Sequence, residues 1–192
     1  MRAFIAIDLP SNIKNNLSRI QVKLKENLPE VNWVKLQNLH LTLKFLGEIS
    51  TSQLNNIEQI TQETIKTTSD FKIKLDTLGV FPNIHAARII WIGTDQTPTE
   101  LKQFIKRLET QLGKCSLTKE EQPFCTHITI GRIKSRKYFK FSDLARILNN
   151  VKTDLITENW EFNAKAVTLF QSHLAAGGAN YTILKETNFR IT

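Results

Sequence analysis

NLHLTLKFLGE, residues 38 to 48, places a histidine and a threonine two residues apart inside a short, strongly apolar segment, and CTHITIGR, residues 125 to 132, repeats the arrangement far down the chain. Side chains alternate across a β-strand, so His40 and Thr42 are expected on one face and Leu41, Leu43 and Phe45 on the other. The same parity puts His127 and Thr129 together, with Ile128 and Ile130 buried and Gly131 leaving the polar face open. Each strand thus reads as an apolar anchor presenting an imidazole and a hydroxyl. One such pair carries little weight, because a lone histidine is more often an ordinary hydrogen-bonded residue. Two pairs among four histidines, in one frame, point to a shared site.

Working outward, Arg2 to Leu9 reads as a buried strand ending at Pro10, with Ser11 as N-cap of a helix whose apolar face is Ile13, Leu17, Ile20, Leu24 and Leu28. Val31 to Leu36 and His40 to Leu46 read as strands, and Thr51 as the cap of a helix running to about residue 66. Phe71 to Val80 and Arg88 to Gly93 read as strands joined through Phe81-Pro82-Asn83. A helix follows Pro98, with Leu101, Phe104, Ile105, Leu108 and Leu112 on one face, and stops at Gly113. Thr126 to Ile133 is the second motif strand. A short helix over 142 to 150 and closing strands at Ala164 to Phe170 and Tyr181 to Leu184, broken at Gly177-Gly178, complete the pattern. Strand-helix-strand units on both sides of the middle, with the two motifs in comparable places, imply a pseudo-duplicated α+β fold. Two sheets should face a cleft, and residues 1 to 192 should form a single domain.

The 192 residues, 41% of them hydrophobic, allow one sizeable core. Twenty-six basic against 18 acidic residues give a net charge of +8, a field suited to a polyanion such as RNA, a nucleotide or an anionic membrane. The two cysteines, Cys115 and Cys125, match no zinc or redox spacing and read as reduced thiols. The apolar run at the start is too short for a signal peptide or a membrane span and is interrupted by Asp8. A soluble, cytoplasmic protein without a membrane partner is expected, as a monomer.

Two imidazoles with two hydroxyls suit displacement at phosphorus. The attacking water must lose a proton on one side of the phosphate while the departing oxygen gains one on the other. Imidazole titrates near neutral pH and can serve as either partner. The hydroxyls of Thr42 and Thr129 would donate to the non-bridging oxygens, where charge gathers. No metal or other cofactor is needed for that chemistry. Neither HExxH nor HxxEH occurs, and no carboxylate lies at ligand spacing, so His85 and His173 have no motif to organise a metal site. A G-x-S-x-G elbow and a GxxxxGK[ST] loop are also absent.

RIKSRKYFK, residues 132 to 140, follows the second motif with Arg132, Lys134, Arg136, Lys137 and Lys140 beside Tyr138 and Phe139, a combination that could steer an RNA backbone and stack a base. Arg132, just beyond the motif, is the RNA-binding candidate. Lys44 is expected on the polar face of His40, reaching a neighbouring phosphate.

At these residues the chain resembles the 2H phosphoesterase superfamily, defined by two H-x-[ST]-x motifs, and within it the RNA 2′,3′-cyclic phosphodiesterases also called 2′-5′ RNA ligases. RAFIAIDLP, the FPN and ARIIWIG segments at 81 to 93, and LFQSHL with the following glycines and Tyr181 extend the resemblance over nearly the whole chain. It implies a bilobal fold with both motifs lining a central cleft, and hydrolysis of a terminal 2′,3′-cyclic phosphate to a 2′-phosphomonoester. By matching positions, His40 would be the proton donor, His127 the proton acceptor, and Thr42 and Thr129 the phosphate ligands. A reversible 2′-5′ ligation is also implied. Family members often carry proline before the second histidine, where this chain has Thr126. The rival reading is a module that binds an RNA end or nucleotide without turning it over.

Overall fold

Alternating and continuous apolar runs become two four-stranded antiparallel sheets in the computed structural model, which describes residues 1–115, 123–134, 139–157, 160–175 and 178–190, with the side chains of 153–157 left aside. The first sheet has the order β10 (Gly178–Asn188), β9 (Ala166–Ala175), β1 (Arg2–Asp8), β3 (His40–Glu48). The second runs β2 (Val31–Trp33), β7 (His127–Ile133), β6 (Ile89–Gly93), β5 (Thr77–Phe81). A two-stranded pair, β4 (Phe71–Lys74) with β8 (Glu161–Ala164), lies beside them. Each motif strand therefore belongs to a different sheet, and the fold is α+β as the pattern implies.

Four helices cover the sheets: α1 (Ser11–Lys25), α2 (Thr51–Lys66), α3 (Thr99–Gly113) and α4 (Phe141–Thr157). Their apolar faces follow the 3.6-residue period, and in α3 Leu101, Phe104, Ile105, Leu108 and Leu112 are all buried. Burial of each such side chain stabilises the fold by roughly 1.5–3 kcal/mol. The pairing of helices with sheets crosses the duplication. α2 packs on β10 and α3, whereas α1 packs on β7 and α4, and α4 on β5. A helix from the first half of the chain thus backs the second motif strand, while Glu109 of α3, from the second half, meets Lys44 behind the first. One continuous apolar core results, joining Ile5, Leu41 and Leu43 of one sheet to Ile90, Ile128 and Ile130 of the other.

Several boundaries differ from the sequence reading for identifiable reasons. Ser11 is the first helical residue, with Pro10 at the cap position and no side-chain cap bond. Ser50, rather than Thr51, caps α2. Its hydroxyl accepts from the Gln53 backbone while the Gln53 side chain accepts from Ser50 N–H, and only Ser50 has a glutamine three residues on. The run from Phe71 to Val80 divides because Leu75 N–H donates to Trp160 O and Asp76 N–H to Gly93 O, handing consecutive residues to different sheets. A bend at residue 165 similarly separates β8 from β9.

Both motif strands carry a β-bulge at the same place. In β3, Ile5 pairs with Lys44 and Ala6 with Thr42, which leaves Leu43 as an extra residue, and a second shift further on leaves Leu46 as another. In β7, Ile90 pairs with Gly131 and Trp91 with Thr129, which leaves Ile130 as the extra residue. A bulge reverses the in-out alternation beyond it. Lys44 therefore turns to the core, where it is 2% exposed with Nζ 3.7 Å from Glu109 Oε1, and is not the phosphate-facing lysine that strict alternation predicts. Phe45 turns the other way and is 61% exposed, not buried. Gly131 likewise relieves the buried face rather than the polar one. A Cβ there would lie 2.6 Å from Val31 Cγ1 and 3.1 Å from the Trp33 ring.

Gly93, paired with His127, has no room for a side chain, because a Cβ would overlap the Thr126 carbonyl oxygen of the backbone. Gly93→Ala is expected to destabilise the protein by at least about 2 kcal/mol. Gly113→Ala, at a helical position with open space around it, should stabilise by about 0.5–1 kcal/mol. Urea unfolding midpoints of the two variants check the pair.

Candidate active site

The parity of β3 and β7 brings His40, Thr42, His127 and Thr129 onto the walls of one cavity of about 310 Å³, together with Arg132 and Tyr181. All five sequence-derived site residues therefore meet at one place. His85 and His173 are exposed elsewhere and line no part of it. Among the described residues, no group of three His, Cys, Asp or Glu side chains converges as a metal cluster would.

The two imidazoles are held in the same way. His40 Nδ1 lies 2.7 Å from the Asn38 carbonyl oxygen, and His127 Nδ1 lies 2.9 Å from that of Cys125, two residues back in each case. A carbonyl oxygen only accepts, so Nδ1 carries the proton in both rings and Nε2 is the nitrogen left for chemistry. His40 Nε2 is 3.0 Å from Thr42 Oγ1. In the neutral ring the Thr42 hydroxyl donates to Nε2. In the protonated ring Nε2–H donates to Oγ1, and the hydroxyl proton is released to point at a ligand.

Aromatic rings wall each histidine. Phe4 lies 4.8 Å from the His40 ring centroid, and Tyr181 stands edge-on to it at 5.3 Å. Phe81 stands edge-on to His127 at 5.0 Å, with Trp91 at 6.2 Å. Burial among these rings lowers the His40 pKa to about 4, with Arg132 and Lys14 adding to the effect, while the Asn38 carbonyl and the charge of Asp8 pull in the opposite direction. His40 is thus neutral at pH 7 in the open cavity. Burial also raises the Tyr181 hydroxyl, and the nearby charge of Arg132 partly offsets this, so the arginine of one sheet and the tyrosine of the other share the cavity electrostatically.

Thr126, in the place where proline is expected by resemblance, is fully buried. Its hydroxyl is 2.7 Å from Thr97 Oγ1, and its carbonyl accepts from Thr94 N–H. These bonds fix the approach to His127 without a proline ring. The basic segment after β7 contributes less than its composition suggests. Arg132 reaches the cavity, but Phe139 is buried against Phe141 at 4.8 Å and is not a surface for stacking a base. Arg136, Lys137 and Tyr138 lie outside the described residues. Cys115 and Cys125 are free thiols.

Sequence reasoning missed Phe4, Phe45 and the aromatic wall around His127. Phe4, Ala6 and Asp8 share one parity on β1, a signal that was available. Phe45 was hidden by the bulge. It is an exposed ring on the wall of the cavity that Thr42 also lines. No described helix is long and apolar enough to cross a membrane.

Comparison with known proteins agrees with this geometry. The family model described as LigT like Phosphoesterase matches residues 7–91 and again residues 92–181, the duplication seen in the two motifs. The RNA 2′,3′-cyclic phosphodiesterase of Methanothermobacter thermautotrophicus is 32% identical over 95% of each chain. That of Methanocaldococcus jannaschii is 32% identical over 97% of this chain and 99% of its own. The crystal structure of E. coli LigT complexed with 3′-AMP superposes with a TM-score of 0.77 at 28% identity, covering 98% of this chain and 97% of that one. With its two matched halves spanning nearly the whole sequence around one doubled histidine-threonine site, the chain belongs to the LigT-like phosphoesterase family.

Proposed function

We propose that the chain is an RNA 2′,3′-cyclic phosphodiesterase, a phosphoric diester hydrolase that opens a terminal cyclic phosphate to a 2′-phosphomonoester. The observation that carries this reading is the convergence on one cavity of two imidazoles tethered alike through Nδ1, each on a strand that carries a threonine two residues further on. Residues 1 to 192 act as one bilobal domain, monomeric and cytoplasmic, and ligation to a 2′-5′ bond is the same displacement with a 5′-hydroxyl attacking phosphorus in place of water, a step that runs in either direction.

In the forward direction His127 Nε2 takes a proton from water as its oxygen bonds to phosphorus. The bond from phosphorus to the 3′ oxygen breaks, and His40 Nε2–H delivers the proton to that oxygen. The hydroxyls of Thr42 and Thr129 donate to the non-bridging oxygens, and Arg132 supplies positive charge to the same phosphate. The low pKa of His40 bears directly on its role. Burial favours the neutral ring in the empty cavity, whereas a phosphodiester anion placed beside it favours the charged ring. Substrate therefore arms the donor. Protonation also reverses the His40–Thr42 hydrogen bond and turns the threonine hydroxyl toward phosphate.

His40→Ala and His127→Ala should each lower the hydrolysis of a nucleoside 2′,3′-cyclic phosphate by roughly 100- to 10,000-fold with unchanged circular dichroism; full turnover by either variant removes the assignment. Thr42→Ala and Thr129→Ala should cost up to about 100- to 1,000-fold, less where water replaces the hydroxyl. On an RNA with a cyclic end, the wild type should release a 2′-phosphate, at a rate that excess chelator leaves unchanged; a dominant 3′-phosphate would exchange the proposed donor and acceptor. In a histidine-resolved NMR titration the His40 ring should titrate near pH 4 in the free protein and at higher pH with a nucleoside 2′-phosphate bound. A midpoint unmoved by the ligand would take His40 out of the donor role.

A further inference from the structure

Charge is distributed unevenly around the cavity. None of its described lining residues is an aspartate or glutamate, yet arginines enter it from both sheets, Arg132 on β7 and Arg2 on β1. Arg132 belongs to the reacting phosphate. Arg2 has no part in the chemistry above.

Its position is set by the register of β1 against β3. Thr42 faces Ala6, Phe45 faces Phe4, and Arg2 faces Glu48. Arg2 thus lies four residues along β1 from the level of the phosphate-binding threonine, roughly 13 Å, part of which the arginine side chain itself spans. The carboxylate nearest in register, Glu48, is engaged by the Met1 ammonium at 3.2 Å. The Arg2 side chain makes no hydrogen bond or ion pair among the described residues. Along β1, Phe4, paired with the exposed Phe45, lies between Arg2 and the level of Thr42. Arginine, aromatic surface and the threonine level, in that order along the strand, match the phosphate, base and terminal phosphate that a nucleic-acid strand offers. A planar guanidinium is suited to grip a phosphate oxygen pair.

We propose that Arg2 binds the phosphodiester on the 5′ side of the terminal nucleoside, so that the cavity reads its substrate as an RNA chain of at least two nucleotides. Arg2 is a specificity-determining residue in this account. The inference rests on the cyclic phosphodiesterase reading and assigns the second phosphate of the same cleft.

The test compares three substrates: a nucleoside 2′,3′-cyclic phosphate, a dinucleotide with the same cyclic end, and that dinucleotide with an uncharged methylphosphonate linkage. Wild-type kcat/KM should be about three- to tenfold higher for the charged dinucleotide than for the neutral one. Arg2→Gln should erase that ratio and lower the salt slope for the charged dinucleotide by about 0.7, while Arg2→Lys should restore part of both. A merely structural role would reduce all three substrates equally. Equal loss, or a charged-to-neutral ratio that survives Arg2→Gln, overturns the proposal. If the wild type hydrolyses none of the three, the hydrolase reading fails, and the Arg2 assignment is then decided by binding. Affinity for the 2′-phosphorylated dinucleotide must exceed that for its methylphosphonate counterpart in the wild type but not in Arg2→Gln.

Discussion

An extra residue three positions after the histidine of each motif strand, Leu43 in β3 and Ile130 in β7, governs what reaches the cleft. Without the bulge, a strand beginning His-x-Thr would continue with a lysine on the polar side of β3 and nothing on that of β7. With it, Lys44 and Gly131 turn inward, and Phe45 and Arg132 turn outward at equivalent positions. The extra residue keeps two consecutive side chains on the buried face, so each motif strand gains an additional anchor just beyond its histidine and threonine. The duplicated halves share this device but use it differently, one presenting an aromatic ring and the other a guanidinium. A pseudo-symmetric scaffold thereby becomes an asymmetric site, as a reaction with distinct attacking and leaving oxygens requires.

The electrostatics follow from that arrangement. Each imidazole is tethered by a carbonyl of its own chain two residues back, a bond that fixes the tautomer with Nε2 unprotonated in the neutral ring. Around His40, packing against Phe4 and Tyr181 removes water and depresses the pKa, while the Asn38 carbonyl and Asp8 moderate the effect. A buried, neutral histidine facing an anion site holds its charge in reserve until the anion arrives. The Thr42 hydroxyl, hydrogen-bonded to that ring, changes direction with it.

The rigidity behind both motifs comes from an exchange between the halves. α1 backs β7 although it precedes the first motif, and α3 meets β3 although it precedes the second. β2 likewise leaves the first half to pair with β7, and β9 leaves the second to pair with β1. Neither half retains a complete sheet of its own, so the core is continuous and the relative placement of the two histidine strands is a property of the whole chain. That is a physical reason for the doubled motif to work only as a pair.

Much was legible in the residues alone. The period of Leu101, Phe104, Ile105, Leu108 and Leu112 sets a buried helix face, and the alternation in HLTL and HITI puts each histidine beside its threonine, because both patterns depend on neighbours within one element. The chemistry of a twofold histidine-threonine constellation followed from those types and spacings. Tertiary structure alone decided the rest: the bulges that reverse Lys44 and Phe45, the division of one apolar run between Leu75 and Asp76, the aromatic wall that lowers His40, and the entry of Arg2 into the cavity. Each of these depends on which strand lies alongside and in what register. Register is a relation between segments distant in the chain, and the periodicity of a single segment carries no record of it.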